Sequence, residues 1–259
     1  MSLIEVAAVV GALAWVPPIF SAVRNWITKP EIRIITGDTP EIGYTVLGPI
    51  LNLQIALTVK HKDIVITGMR IHIRHETGEQ ALFSWQGVKQ RLGTMTNAQL
   101  GVMPYEKDLN VLAMKVSLKD VEERLIQFRS PSFLSRKAEL EAISFKKLAH
   151  LRQSNTFDGD GFLRSQEMAD LYSYTRQSFS WKPGAYRLSV VLESPDEFTV
   201  LGDQYSFNLA PIQVKQLTDN LDIVEPSYAS EILPAKVGEE PKKIEWNWVY
   251  PQMQLVLVP

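Results

Sequence analysis

The residues best suited to binding chemistry lie in a short acidic stretch near the middle of the chain. This ten-residue stretch contains the carboxylates of Asp158, Asp160 and Glu167. A glycine follows each aspartate, Gly159 after the first and Gly161 after the second. Carboxylate oxygens are the ligands that Ca²⁺ prefers in proteins. The stretch therefore predicts a cation-binding loop. The alternative is a turn in which the Asp and Gly residues supply backbone geometry and a helix cap.

Counted from Thr156, the stretch resembles part of the calcium-binding loop of the EF-hand family. The resemblance rests on Asp158, Asp160, Gly161 and Glu167, which fall at the third, fifth, sixth and twelfth positions of that loop. It implies calcium binding between two helices. The chain departs from the pattern at the first ligand, where Thr156 replaces the usual Asp. Loss of that carboxylate weakens the expected binding because ligand charge sets affinity.

Other catalytic or cofactor chemistry has no signal in this sequence. The chain contains no cysteine, which excludes disulfides, thiolate metal sites and a cysteine nucleophile. Serine nucleophile elbows, phosphate-binding glycine loops and the HExxH zinc spacing are also absent. His72 and His75 lie on one predicted strand but point to opposite faces, so they do not share a metal. We therefore expect a non-catalytic protein without a cofactor.

A small basic cluster lies on a predicted helix before the acidic stretch. It consists of Lys146, Lys147, His150 and Arg152. Such a cluster is usually a solvated face. The alternative is a contact surface for a protein partner or for acidic lipid headgroups, which attract basic groups near a membrane. For the whole chain, 27 Lys and Arg residues stand against 29 Asp and Glu residues. This balance gives no field that gathers nucleic acid, so no nucleic-acid partner is expected.

The N-terminal segment predicts a membrane anchor. No residue from Val6 to Val23 carries a charge, and this stretch approaches the roughly 20 residues that a helix needs to cross a bilayer. A buried core helix is the alternative. Pro17 and Pro18 are expected to kink the helix because each removes a backbone donor. The residues expected to contact lipid or shape the anchor are Val6, Leu13, Trp15, Pro17, Pro18, Phe20 and Trp26.

The charges around this segment predict its orientation. Glu5 stands where a cleavable secretory peptide carries positive charge, so we expect an uncleaved signal anchor. Arg24, Lys29 and Arg33 follow the apolar stretch. Lys and Arg favour the cytoplasmic side of a membrane, so the expected topology is a single-pass protein with its main domain in the cytoplasm.

Beyond Pro30 the hydrophobic pattern changes to period two, which is typical of strands with one buried face. Residues 119–181 instead predict a helical insertion, with helices over Lys119–Phe128 and Ser135–Arg152 and a third from Ser165. Residues 93–104 predict a loop. The expected domains are an anchor at 1–29, two halves of a β domain at 30–118 and 182–259, and the insertion at 119–181. The strand pattern is clearest at Leu51, Leu53, Ile55, Leu57, Val59, Met69, Ile71, Ile73, Tyr186, Leu188, Val190, Tyr205, Phe207 and Leu209.

The segment Pro183–Val190, which reads PGAYRLSV, resembles a late strand of immunoglobulin-like and fibronectin-like domains. The resemblance covers about ten residues and lacks the Cys and Trp spacing of antibody domains. It implies an immunoglobulin-like antiparallel β-sandwich. With the predicted insertion and anchor, the expected fold is mainly β, an immunoglobulin-like antiparallel β-sandwich with a helical insertion, preceded by a transmembrane helix. Such folds serve recognition more often than catalysis, although the fold does not decide function.

These observations lead to two functional expectations. The first is a membrane-anchored, non-catalytic interaction or effector protein that presents a cytosolic β-sandwich to a protein partner. One form of it is a self-assembling membrane effector of a defence or stress system, in which copies form a homo-oligomer in the lipid bilayer. The alternative is an extracytoplasmic ligand-binding or enzymatic domain that an uncleaved signal anchor tethers.

Overall fold

A computed structural model describes residues 28–97, 101–233 and 244–256, and it confirms a mainly β fold. Alternating apolar residues form most strands because one face of each strand is buried. The strands are β1 (Glu31–Thr36), β2 (Glu41–Thr45), β3 (Gly48–Lys60), β4 (Ile64–Ile66), β5 (Gly68–His75), β6 (Gln80–Asn97), β7 (Gly101–Leu109), β8 (Met114–Val116), β9 (Glu122–Arg129), β10 (Gly184–Glu193), β11 (Thr199–Leu201), β12 (Gln204–Leu209), β13 (Trp248–Val249) and β14 (Met253–Leu255).

Twelve of these strands form a single curled sheet in the order β11-β1-β3-β9-β6-β5-β10-β12-β14. Three further strands pair outside this order. Strand β7 pairs with β6, β2 pairs with β3, and β13 pairs with β2. Strands β4 and β8 form a separate two-stranded sheet. Only the β1–β11 pair is parallel among the strands described. Strands from both ends of the described chain therefore build one sheet.

The sheet curls until its two ends meet at a seam. Strands β11 and β12 lie far apart in the strand order, yet only Gly202 and Asp203 separate them in sequence. Across the seam, the Tyr205 hydroxyl donates to the carbonyl of Ile34 at 3.2 Å. The Met253 amide donates to the carbonyl of Asp38 at 2.7 Å. The curled sheet encloses the main core, which includes Leu51, Leu53, Ile55, Leu57, Ile71, Phe83, Phe128, Leu188 and Phe207.

A group of helices packs around a second, smaller core, except for the helix that contains Leu217, which belongs to the main core. The helices are α1 (Pro131–Gln153), α2 (Gly159–Leu163), α3 (Gln166–Gln177), α4 (Pro211–Asp219) and α5 (Val224–Ile232), with a 3₁₀ turn at Asn220–Ile223 between the last two. Helix α1 begins after Ser130, whose hydroxyl accepts from the Phe133 amide at 3.4 Å, and Pro131 occupies its first turn. The second core contains Leu148, Phe162, Met168, Leu171, Tyr172, Val224, Tyr228 and Ile232.

Several sequence predictions can be compared with these elements. The helices predicted at Ser135–Arg152 and from Ser165 are confirmed as α1 and α3. The helix predicted over Lys119–Phe128 is wrong, because most of that segment is strand β9, which pairs with β3 and β6. The loop predicted at 93–104 is also wrong. Residues up to Asn97 and from Gly101 are paired strands.

The predicted membrane anchor lies outside the described residues, as do its residues Val6, Leu13, Trp15, Pro17, Pro18, Phe20 and Trp26. Within the described ranges, no helix combines the length and apolar character needed to cross a bilayer. The transmembrane helix and the immunoglobulin-like sandwich stay predictions.

Candidate functional site

The two ends of the curled sheet border a groove of about 610 Å³, here called the seam groove. Strands β1 and β11 form one wall and β12 and β14 form the other. Arg33 and Asp38 on the first wall add charges of opposite sign. The apolar lining consists of Ile34, Ile35, Leu201, Tyr205, Met253 and Leu255.

Three aliphatic side chains of the groove are about half exposed. The exposed fractions are 49% for Ile35, 42% for Leu201 and 49% for Leu255. Single exposed aliphatic residues are normal on a protein surface, but several around one concavity are typical of an interaction site. Burial of these side chains by a partner would remove apolar surface from water, which is the main favourable term in association.

The turn between β11 and β12 brings the walls of the groove together. Gly202 has φ of +74°, and a Cβ atom there would lie 2.8 Å from the carbonyl oxygen of Ile34, so glycine fits where a larger residue does not. The Tyr205 hydroxyl donates to Gly202 at 2.5 Å as well as to Ile34. Burial raises the pKa of Tyr205, which keeps the hydroxyl protonated as a donor.

The candidate calcium ligands occupy three different local settings. Asp158 immediately precedes α2, Asp160 lies in its first turn, and Glu167 lies in the first turn of α3. Lys147 pairs with Glu167 at 2.5 Å, and this hydrogen bond holds the pKa of the carboxyl below its usual range. Over the described residues, no group of three or more His, Cys, Asp and Glu side chains is arranged to hold a metal ion. Calcium binding stays a prediction.

The predicted basic cluster divides into two pairs on α1. Lys147 binds Glu167, and Arg152 donates to the carbonyl of Ile232 at 3.3 Å while its guanidinium lies 5.2 Å from the Phe157 ring centre. Lys146 and His150 are exposed. Half of the cluster therefore joins helices to one another. The predicted contact of the four residues with a partner or lipid stays a prediction.

A buried polar trio joins α1 to α5. Lys137 is 8% exposed, and its ammonium lies 2.5 Å from the Glu141 carboxylate. The Tyr228 hydroxyl donates to the same carboxylate oxygen at 3.0 Å, and burial raises the pKa of Tyr228. These contacts pair the lysine, the carboxylate and the hydroxyl with one another, so we assign the trio a structural role. The i,i+4 spacing of Lys137 and Glu141 indicates a helical pair but not its burial.

The first described residues attach directly to the seam. Lys29 pairs with Glu197 at 2.6 Å, and the carbonyl of Pro30 accepts from the Thr199 amide at 3.0 Å. Strand β1 begins at the next residue, Glu31. The predicted anchor is therefore followed by a connection of only a few residues to the wall of the groove.

Comparison with known proteins gives no assignment, since no family model, curated protein or solved structure matches this chain.

Proposed function

We propose that the chain is a membrane-anchored, non-catalytic interaction protein whose cytosolic β-rich domain binds an extended apolar segment of a partner protein in the seam groove. The observation that carries this proposal is the cluster of half-exposed Ile35, Leu201 and Leu255 around one groove. The uncharged N-terminal stretch supports the membrane part of the proposal.

The edges of the sheet suit an extended ligand. Within the described chain, β11 pairs only with β1, and β14 pairs only with β12. An extended peptide can add to such an edge through backbone hydrogen bonds, and its alternate side chains then enter the neighbouring pockets. The proposal includes an immunoglobulin-like sandwich, in which two β layers pack face to face behind the edge strands.

The short connection after the predicted anchor supports a groove close to the lipid surface. Strand residues rise about 3.3 Å each, so the seven steps from Thr28 to Ile35 span about 23 Å at most. The expected ligand is therefore a segment that a protein presents near the inner face of the membrane. Further expected partners are the lipid bilayer itself and other copies of the chain.

Peptide binding tests the groove. Extended apolar peptides selected from a random library on the full-length chain are measured by fluorescence anisotropy against Leu255→Lys. Burial of the exposed half of a leucine contributes about 1 kcal/mol, and a buried lysine adds a desolvation cost, so the substitution should weaken binding at least about fivefold. Leu118→Lys is the matched control, because Leu118 is 50% exposed and lies outside the groove. Equal binding by both variants, or no selected peptide, contradicts the proposal.

Membrane fractionation tests the anchor separately. The full-length chain should stay in the pellet when membranes are washed with alkaline carbonate, whereas a chain lacking residues 1–27 should be released. Release of the full-length chain contradicts anchoring. A reporter fused after Pro259 should then report the cytoplasm, and an external signal would instead favour the extracytoplasmic alternative.

A further inference from the structure

The outer part of β6 projects from the sheet as one strand of a two-stranded arm, and we propose that its open edge pairs with the same edge of a second copy of the chain. The arm is defined here as Gln90–Asn97 of β6 with Gly101–Lys107 of β7. The proposal identifies the self-assembly surface of the membrane-anchored interaction protein and rests on that proposed function.

Strand β6 leaves the sheet partway along its length. It pairs with β5 as far as Ser84 and with β9 as far as Lys89. Its pairing with β7 begins at Val88 and continues to Asn97, whereas β9 continues along β3 to Glu122. The eight residues of β6 in the arm extend about 26 Å at about 3.3 Å per residue.

An arm of two strands leaves backbone groups without partners at its edges. A two-stranded ribbon is marginally stable in water, and an open edge is a template for another strand. Among the described strands, none pairs with the outer edge of β6 beyond Lys89. Pairing with another strand would satisfy these backbone groups and stabilise the ribbon.

The two edges of the arm differ in their ability to accept a strand. Strand β7 contains Pro104 and the charged run Glu106, Lys107 and Asp108, which are features that protect an edge from strand addition. The arm portion of β6 contains no proline, and its one charged residue, Arg91, lies beside a register shift between Arg91 and Gly93. Beyond this shift, from Gly93 to Asn97, the edge of β6 is therefore the one suited to pairing.

The position of Pro104 indicates which groups the β6 edge presents. Pro104 lies opposite Thr94. Proline has no N–H, so this pair fits the position at which facing residues do not exchange hydrogen bonds. The N–H and C=O of Thr94 then point towards the open edge. Thr94 is thus a suitable centre for a new antiparallel pair.

Pairing centred on Thr94 is compatible with a twofold axis. It sets Thr94 opposite Thr94 of the second copy and Gly93 opposite Met95, both beyond the register shift between Arg91 and Gly93. No like charges face each other, and the same patch serves both copies, as a twofold interface requires. Lipid suits this edge less well, because an unpaired backbone group in hydrocarbon costs several kcal/mol.

Disulfide trapping tests the register on the full-length chain, which has no cysteine of its own. Facing residues of a hydrogen-bonded antiparallel pair have Cα atoms about 5.5 Å apart, within disulfide range. Under mild oxidation, Thr94→Cys should give a covalent dimer as the main product. Thr218→Cys, on an exposed position of α4, should stay monomeric. A monomeric Thr94→Cys chain, or equal trapping at both positions, overturns the proposal.

A second pair of variants tests the edge without a covalent bond. Thr94→Pro removes the outward N–H and leaves the ladder with β7 in place, whereas Thr94→Ala retains the N–H. The particle mass from light scattering should be dimeric for the original chain and for Thr94→Ala, and monomeric for Thr94→Pro. A monomeric original chain, or a dimeric Thr94→Pro variant, contradicts the proposal. The carbonate wash is read on the same samples, so failure of anchoring is distinguished from failure of pairing.

Discussion

At the scale of single residues, Asn220 joins three parts of the chain. Its side chain is fully buried, and its amide nitrogen donates to the carbonyls of Tyr44 and Asn247 at 2.9 Å. Its side-chain oxygen accepts from the Asn247 amide at 2.8 Å. This one amide therefore attaches the segment that leads into β13 both to β2 and to the 3₁₀ turn.

Replacement of this amide should destabilise the fold strongly. Asn220→Ala leaves three backbone groups without their partner, and each buried group left unsatisfied costs about 1–3 kcal/mol. We expect the free energy of unfolding, measured in urea, to fall by about 3 kcal/mol or more. Asn208→Ala is the control, because Asn208 is exposed on β12. A loss of less than about 1 kcal/mol for Asn220→Ala would show that water replaces the amide.

Buried tyrosines should make the protein sensitive to alkaline pH. Burial raises the pKa of Tyr172 from its ordinary value of 10.0 to about 12. Between these values the unfolded chain has lost the phenolic proton that the folded chain retains, so the free energy of unfolding falls as pH rises. Stability should therefore be fully present below about pH 10 and decrease towards about pH 12. Tyr172→Phe should reduce this slope in urea titrations, and an unchanged slope would contradict the assignment.

At the scale of elements, the turn between β2 and β3 fixes the start of α1. Gly48 has φ of +76°, and a Cβ atom there would overlap the ring of Phe133. Gly78 has φ of +96° in a turn with no atom within 4 Å of such a Cβ. Both positions favour glycine for backbone reasons, but only Gly48 also makes a close contact.

Alanine at these two glycines separates backbone strain from packing. Gly78→Ala should lower the free energy of unfolding by about 1 kcal/mol, the cost of a left-handed alanine. Gly48→Ala should lower it by at least about 1 kcal/mol more, because overpacking typically costs about 1–3 kcal/mol. Chemical denaturation of both variants measures the difference. Equal losses would mean that Phe133 moves aside without cost.

The sequence predicts elements well where local pattern and tertiary environment agree. The alternation of Leu51 to Val59 predicts β3, and burial alternates in the same way from Leu53 onward, whereas Asn52 is buried against the pattern. Strand β9 shows the opposite case. Glu122, Arg124 and Leu125 favour a helix locally, but pairing with β3 and β6 buries Ile126 and Phe128 in the sheet. Strand propensity depends on such neighbours, which a local pattern does not contain.

The seam groove was not predicted from sequence for a related reason. Leu201 and Leu255 each lie in a short strand, and their spacing gives no sign that both line one groove with Ile35. That arrangement depends on the curl of the whole sheet. The basic cluster shows the same limit, because its spacing does not reveal that Lys147 binds Glu167 while Lys146 is exposed.

At the scale of the whole molecule, the Tyr205 hydroxyl helps to close the curled sheet. Tyr205→Phe removes the donor to Ile34 and Gly202, and a buried hydrogen bond contributes about 1 kcal/mol. We expect a loss of about that size, together with faster amide hydrogen exchange at both walls of the seam. Tyr250→Phe is the control, because Tyr250 is 52% exposed. Unchanged exchange in Tyr205→Phe would show that the other seam contacts suffice.

The parallel pairing of β1 with β11 also sets the timing of folding during synthesis. Glu31 faces Thr199, so β1 leaves the ribosome 168 residues before that partner (199 − 31 = 168). At roughly 5–20 residues per second, the wait lasts on the order of ten seconds or more. Throughout that time the β1 edge that will bind β11 is open to chaperones and to neighbouring nascent chains. The seam is therefore expected to close last, after translation has passed β11.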